Sequence, residues 1–166
     1  MLSNTRGKKR ISVMKLSEHL KPELICTDLT SATKLEVLTE LGALLAKAGD
    51  GPDAAEISKA LLERERLATT GVGEGVAIPH AKLGNLKENR IAVGTSRTGV
   101  DFDAIDGSRV KIFFALIAPL ASSGDHLRVL AQISRLLKDP DIRKKLIDAP
   151  DADAFISFIV EEEGKQ

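Results

Sequence analysis

The stretch that decides the fold of this chain runs from Val110 to Ala118 and reads VKIFFALIA. Every residue in it except Lys111 is apolar, which is typical of a strand covered on both faces of a sheet. The longest apolar run, at 112–121, contains Pro119 and is shorter than the ~20 residues that a membrane helix needs. We therefore predict an inner strand and no membrane span.

Segments with helical spacing lie on both sides of this strand in the sequence. Thr33 and Glu36 form a capping-box pair ahead of leucines that recur every three or four residues. A second helix is predicted after Asp53, and a third from Asp125 to about Leu137. Further elements are expected at 17–20, 24–27, 76–80, 90–97, 141–147 and 152–160. This alternation predicts an α/β fold, a three-layer sandwich with a mixed central β-sheet flanked by helices.

Composition indicates one domain with no general attraction for nucleic acid. The 166 residues include 24 Lys plus Arg and 24 Asp plus Glu, so no overall field attracts a polyanion. The single cysteine, Cys26, cannot form an intramolecular disulfide, which favours a cytoplasmic protein. We predict a disordered basic tail at 1–14, one domain at 15–161 and a C-terminal tail at 162–166.

A glycine-rich segment at 69–75, TTGVGEG, leads into Val76-Ala77-Ile78-Pro79-His80. Glycines permit backbone angles that are closed to other residues and allow close approach. Pro79 stiffens the chain and biases Ile78 toward extended geometry, so the imidazole of His80 is presented from a rigid base. A histidine has a reference pKa of ~6.5, so its neutral form is available at cytosolic pH to attack phosphorus. We predict His80 as a phosphoryl acceptor.

Phosphoryl transfer also needs groups that bind the anionic oxygens. Arg64 aligns with the apolar stripe of the second helix and ends beside the glycines, where its guanidinium can donate charge-assisted hydrogen bonds. His126 lies in the first turn of the third helix, where the helix dipole disfavours its cationic form, so we predict a neutral N–H donor. The candidate phosphate-binding residues of the loop are Thr70, Gly71, Gly73 and Gly75.

Other interpretations of these residues stay open from the sequence. His80 can equally be a structural or surface histidine, and Arg64 a solvated helix residue. The glycine spacing is not that of a dinucleotide-binding motif, and no P-loop lysine follows it. One cysteine and three separated histidines do not make a typical zinc site, so no metal is expected. The aspartates at 101, 103 and 106 are interpreted as turn residues rather than a cation site.

Five segments together resemble the phosphotransferase-system IIA proteins of the fructose/mannitol class. They are Arg64-Glu65, Thr70-Gly71-Val72-Gly73, Ala77-Ile78-Pro79-His80, Phe102-Asp103-Ala104-Ile105-Asp106-Gly107 and His126-Leu127. The resemblance extends from about Leu16 to Ile159. Within the class, His80-Ala81-Lys82-Leu83 and the segment at 102–107 are most similar to the nitrogen-regulatory IIA branch.

The resemblance implies a mannitol-IIA-like fold in which His80 is phosphorylated by a histidine phosphocarrier protein. It implies that His126 contacts the phosphate and that Arg64 helps to bind the phosphoryl group and the donor protein. It implies an enzyme only in the sense of phosphoryl transfer through a phosphohistidine, with no metal or organic cofactor. Glu74 departs from the small polar residue common in relatives, and its carboxylate would repel phosphate unless it points outward.

Three functions are compatible with this sequence. The first is a stand-alone cytoplasmic regulator whose phosphorylation state changes which target proteins it binds, and the lack of an attached IIB or membrane domain favours it. The second is the IIA component of a fructose/mannitol-type sugar transporter that passes the phosphoryl group to a IIB domain. The third is an interaction module whose histidines are structural. Direct sugar binding is disfavoured, because aromatic residues make up only 3% and Trp and Tyr are absent.

Overall fold

A mixed β-sheet forms the middle layer of the computed structural model, which describes residues 15–122 and 124–165. The tail predicted at 1–14 lies outside the described residues. Across the described sheet the strand order is β1-β5-β6-β3-β2, and β4 also pairs with β6. The strands are β1 (Ile25–Cys26), β2 (Gly71–Gly73), β3 (Val76–Ala77), β4 (His80–Leu83), β5 (Arg90–Val100) and β6 (Val110–Pro119).

The predicted inner strand is β6, which pairs with β5 on one side and with β3 and β4 on the other. The β5 pairing is antiparallel, whereas β3 and β4 run parallel to β6, so the sheet is mixed as predicted. The strand predicted at 76–80 is divided at Pro79, which has no N–H for the ladder. The register nevertheless continues, because Val76 lies opposite Ile112 and His80 opposite Leu116.

Helices cover both faces of the sheet. Thr33 caps the first helix by accepting a hydrogen bond from the Glu36 N–H at 3.2 Å, as the capping-box pattern predicts. The helices are α1 (Lys34–Ala46), α2 (Ala54–Leu67), α3 (Asp125–Leu136), α4 (Pro140–Ile147) and α5 (Ala152–Glu163). The C-terminal tail predicted from residue 162 begins too early, because α5 continues until Gly164 caps it. None of the helices in the described residues is long and apolar enough to cross a membrane.

The core consists of two apolar layers that β6 separates. Phe113 points toward α1 and α2 and meets Phe102 edge to face, with the ring centroids 5.3 Å apart. Phe114 points the opposite way, toward α3, α4 and α5, and meets Phe155 with the centroids 6.0 Å apart. Because successive side chains of a strand point to opposite faces, a continuously apolar strand is buried on both. The predicted three-layer sandwich is therefore confirmed.

The glycine-rich segment, predicted as a loop, forms a β-hairpin of β2 and β3. Its turn needs positive φ angles, which are +99° at Gly73, +57° at Glu74 and +79° at Gly75. Gly71 serves close approach, since an added Cβ would lie 2.8 Å from the Cα of Ala104. The glycines thus let a tight hairpin pack directly against the segment at 102–107.

We expect Leu41→Ala to destabilise the protein, because the Leu41 side chain is 0% exposed in the layer under α1. A buried leucine replaced by alanine typically costs about 2–5 kcal/mol in the free energy of unfolding. Leu35, on the same helix, is 58% exposed, so Leu35→Ala is the matched control and should cost less than about 0.5 kcal/mol. Urea unfolding measures both, and equal losses would contradict the packing described.

Candidate functional site

His80 begins β4 with its imidazole anchored at one ring nitrogen. Its Nδ1 lies 2.8 Å from the backbone carbonyl oxygen of Ile78. A carbonyl only accepts hydrogen bonds, so Nδ1 carries the proton and the lone pair of the neutral ring is on Nε2. The side chain is half-buried. The arrangement therefore offers one nucleophilic nitrogen from a ring whose other edge is fixed.

The peptide that holds His80 is itself fixed on both sides. The N–H of Ile78 donates to the carbonyl oxygen of Thr70 at 3.0 Å, and the Ile78 side chain is buried among the apolar residues of the second core layer. The carbonyl oxygen of Pro79 accepts from the Leu116 N–H at 2.9 Å. His80 is thus presented from backbone that the sheet holds in place.

His126 lies close enough to His80 for their charges to interact. It occupies the first turn of α3, which begins after Gly124, and its Nδ1 lies 3.3 Å from the Ser122 Oγ. Desolvation lowers the pKa of His126 most, and the positive charges of Lys82 and His80 lower it further against the opposing effect of Asp125. The lowered pKa has the predicted direction, but its largest cause is burial. His126 is therefore held toward its neutral form.

Lys82 is the third basic residue of this cluster, and no role for it is predicted from the sequence. It is exposed on β4, two residues beyond His80. Residues i and i+2 of a strand lie on the same face, so the spacing of Lys82 from His80 was the available signal. Its ammonium group places a positive charge near the imidazole of His126.

Arg64 is half-buried near the end of α2, and its Nη1 donates to the carbonyl oxygen of Ala68 at 3.0 Å. No described contact of Arg64 reaches His80. The interpretation that Arg64 continues the core-facing stripe is wrong, because Glu65 takes that position and is only 4% exposed. The buried residues Ile57 and Leu61 reach Glu65 at spacings of four, which is also a helical repeat.

The donors of Thr70 and Gly71 are engaged inside the protein. Thr70 donates from its N–H to the Glu65 carboxylate at 2.8 Å, and its hydroxyl donates to the same carboxylate. The N–H of Gly71 donates to the Thr69 Oγ1 at 3.1 Å. These two candidate phosphate ligands therefore hold the start of the hairpin.

Gly73 and Gly75 lie at the far end of the hairpin from His80. Gly73 pairs with Val76, and the four steps along the chain from Val76 to His80 span about 13 Å at roughly 3.3 Å per residue. The N–H of Gly75 donates to the Ser108 Oγ at 3.3 Å. The structure does not bring these glycine amides together around His80.

Glu74 points toward α4, where its Oε2 lies 3.0 Å from the Nη1 of Arg143. Its N–H donates to Asp106 at 2.8 Å, and this bond, with further hydrogen bonds from Ser108, lowers the pKa of Asp106 to about 2. Asp106 thus acts as a turn residue that fastens the hairpin, in agreement with the sequence interpretation. The Glu74 carboxylate is paired in this arrangement.

Comparison with known proteins assigns this chain to a family. A family model described as "Phosphoenolpyruvate-dependent sugar phosphotransferase system, EIIA 2" matches residues 18–162. The chain belongs to this IIA family. Over 146 residues, the IIA chain is 40% identical to a nitrogen regulatory protein of Bradyrhizobium diazoefficiens, covering 88% of this chain and 95% of the relative. The resemblance stated from the sequence is confirmed.

Structural and sequence relatives of the IIA chain come from both branches of the class. The crystal structure of the nitrogen regulatory protein IIA-Ntr from Neisseria meningitidis superposes with a TM-score of 0.80 at 31% identity, covering 87% of this chain and 98% of that one. The fructose-specific EIIABC component of Bacillus subtilis is 38% identical over 146 residues. That match covers 88% of this chain, which spans 23% of the length of the Bacillus protein.

We expect the imidazole of His126 in this IIA chain to titrate below the usual histidine pKa of about 6.5. Lys82→Gln removes one nearby positive charge and should raise the pKa of His126. Because the unfolded chain binds this proton more readily, protonation at His126 should lower the free energy of unfolding as the pH falls below about 6.5. NMR titration of the imidazoles measures the midpoints.

Lys59→Gln provides the control, since Lys59 is exposed on α2 at the opposite face of the sheet. It should leave the midpoint of His126 unchanged. An unchanged midpoint in Lys82→Gln as well would show that Lys82 does not belong to the cluster.

Proposed function

We propose that this IIA chain accepts a phosphoryl group on the Nε2 of His80 from a histidine phosphocarrier protein and regulates target proteins through its phosphorylation state. The observation that carries the proposal is the 2.8 Å contact between the His80 Nδ1 and the Ile78 carbonyl oxygen, which leaves Nε2 as the unprotonated nitrogen. Membership of the phosphotransferase-system IIA family supports phosphoryl transfer as the chemistry.

The transfer needs no proton to move. The lone pair of the His80 Nε2 forms a bond to phosphorus while the bond from phosphorus to the donor histidine nitrogen breaks, and the bonding electrons return to the donor ring. Positive charge develops on the ring of His80 as the new bond forms. The Ile78 carbonyl oxygen, already bonded to Nδ1–H, stabilises that charge without reorganisation.

The neighbouring Lys82 and His126 bind the three phosphoryl oxygens. The Lys82 ammonium attracts them, and a neutral His126 can donate from Nε2–H when its Nδ1 accepts from the Ser122 hydroxyl. We assign to Arg64 the role of binding the donor protein and the phosphoryl group when the two proteins meet. One guanidinium N–H is occupied by Ala68, and a guanidinium carries five.

Phosphorylation would change the character of the surrounding surface. Leu127, next to His126, is 59% exposed, and Leu120 is 65% exposed. The N–H of Leu120 donates to the carbonyl oxygen of Leu83, which places Leu120 at the end of β4. A phosphoryl group adds about −1.5 to −2 charges at neutral pH. A target that covers these leucines with apolar surface would have to desolvate that charge, so it should bind the unphosphorylated form. We place this function in the cytoplasm and assign it no cofactor.

The IIA component of a sugar transporter is the second candidate, and the identity to the fructose-specific EIIABC component supports it. The chemistry at His80 would be the same. The difference lies in the recipient, because a transporter IIA passes the phosphoryl group to a IIB domain whereas a regulator retains it while binding its target.

Incubation with phosphoenolpyruvate, enzyme I and a histidine phosphocarrier protein tests the acceptor. We expect acid-labile label on the wild-type chain and none on His80→Ala, because the nucleophile is missing. His19→Ala removes a histidine from the 3₁₀ turn at Leu16–His19 and should be labelled normally. An unlabelled wild-type protein would leave only the interaction module with structural histidines.

The assisting residues are tested by labelling rates. Loss of one group that stabilises developing charge typically slows such a reaction by about 10²–10³-fold, and we expect slowing toward this range for His126→Ala and a smaller effect for the exposed Lys82→Gln. Arg64→Ala should also slow labelling. A wild-type rate in Arg64→Ala would remove Arg64 from the site.

Pull-downs with the phosphorylated and unphosphorylated chain separate regulation from transport. A target that binds one form and receives no label supports regulation. Transfer of the label to a purified IIB domain, without a target selective for one form, would favour the transporter component.

A further inference from the structure

Glu65 is a buried carboxylate that the phosphoryl-transfer chemistry does not use directly. It is 4% exposed near the end of α2, and its Oε1 lies 2.9 Å from the Nζ of Lys34 at the start of α1. The Lys34 ammonium also lies 4.8 Å from the centroid of the Phe102 ring. Burying the Glu65 carboxylate carries a desolvation penalty, so its ion pair with the half-buried Lys34 is not by itself an explanation of stability.

The two oxygens of Glu65 hold one residue of the hairpin. Oε1 accepts from the Thr70 N–H at 2.8 Å, and Oε2 accepts from the Thr70 hydroxyl. Thr70 is itself 4% exposed. Two hydrogen bonds to one charged group fix both the position and the orientation of the Thr70 backbone.

That backbone leads directly to the nucleophile. The Thr70 carbonyl oxygen accepts from the Ile78 N–H at 3.0 Å, and the Ile78 carbonyl oxygen lies 2.8 Å from the His80 Nδ1. One ion pair and a series of hydrogen bonds therefore join Lys34 and Glu65 to the imidazole through the backbone of two residues, Thr70 and Ile78.

We infer that Glu65, supported by Lys34, is a positioning residue that fixes the ring orientation and tautomer of His80. The inference rests on the proposed function, because it concerns how the nucleophile is presented. Glu65 acts only through Thr70 and Ile78. If the Thr70 backbone shifts, the Ile78 peptide can rotate, and the Nδ1–H of His80 loses its carbonyl acceptor. The ring then samples the other tautomer, whose lone pair is on Nδ1.

Glu65→Met tests the inference, because methionine fills a similar volume and offers no strong acceptor to Thr70. We expect the neutral imidazole of His80 to change from the Nδ1–H tautomer to a mixture, measured by long-range ¹H–¹⁵N NMR correlations above the histidine pKa. We also expect labelling to slow by at least about tenfold, since displacement of a reacting group by about 1 Å can cost 10²-fold.

Glu65→Gln should restore the wild-type tautomer and most of the labelling rate. Its amide oxygen can accept from the Thr70 N–H, and its NH₂ group can donate to the Thr70 hydroxyl oxygen. A purely electrostatic role for the carboxylate would not be rescued in this way. Thr70→Val removes only the hydroxyl bond and should give a smaller tautomer shift, which keeps the test available if Glu65→Met does not fold.

Glu40→Met is the matched control. Glu40 on α1 is half-buried, and its Oε1 likewise accepts from the N–H of Ser31 at 3.2 Å and from the Ser31 hydroxyl. We expect Glu40→Met to destabilise the fold without changing the tautomer of His80 or its labelling rate. Urea unfolding establishes that each variant is folded under the assay conditions.

A wild-type tautomer and labelling rate in folded Glu65→Met would overturn the inference, and so would an equal tautomer shift in Glu40→Met. The tautomer is measured without any phosphoryl donor. If the wild-type chain takes no label, the proposed function fails, while the role of Glu65 in fixing the ring is still tested by NMR.

Discussion

The hydrogen bond from the His80 Nδ1 to the Ile78 carbonyl oxygen is the interaction on which the rest of the site depends. It decides which nitrogen carries the lone pair, and in the proposed transfer it places an acceptor where the ring becomes positive. The bond joins residues only two apart, so it exists only while the Ile78 peptide keeps its orientation. The conformational restriction that Pro79 places on Ile78 and the hydrogen bond from the Ile78 N–H to Thr70 both maintain that orientation.

The fold surrounds this proposed nucleophile with two different environments. On one side the buried Glu65, paired with the half-buried Lys34, holds the hairpin, and solvent does not reach the hydrogen bonds of its carboxylate to Thr70. On the other side the neutral His126 and the exposed Lys82 are available to an anion. The proposed phosphohistidine site needs both, because the ring must be oriented rigidly while the transferred group stays accessible to a partner protein.

Sequence patterns predicted the layers better than the contacts within the site. The apolar run of β6 and the capping pair before α1 depend on local chemistry, and the structure confirms both predictions. The spacing from Ile57 was compatible with either Arg64 or Glu65 facing the core, and packing against Lys34 selected Glu65. Likewise, glycine composition showed where the chain turns, but the partners of the glycine amides come from side chains distant in sequence.

The sequence by itself determined the family, the alternation of strands and helices, and the stiff approach to His80, because each follows from residue type and short-range spacing. Only the tertiary structure decided which charges surround His80. His126 is 46 residues beyond it in the numbering and reaches it because α3 starts beside the end of β6, while Lys34 acts through a buried carboxylate on another helix. Such contacts between residues distant in sequence depend on how the layers pack, which no local pattern encodes.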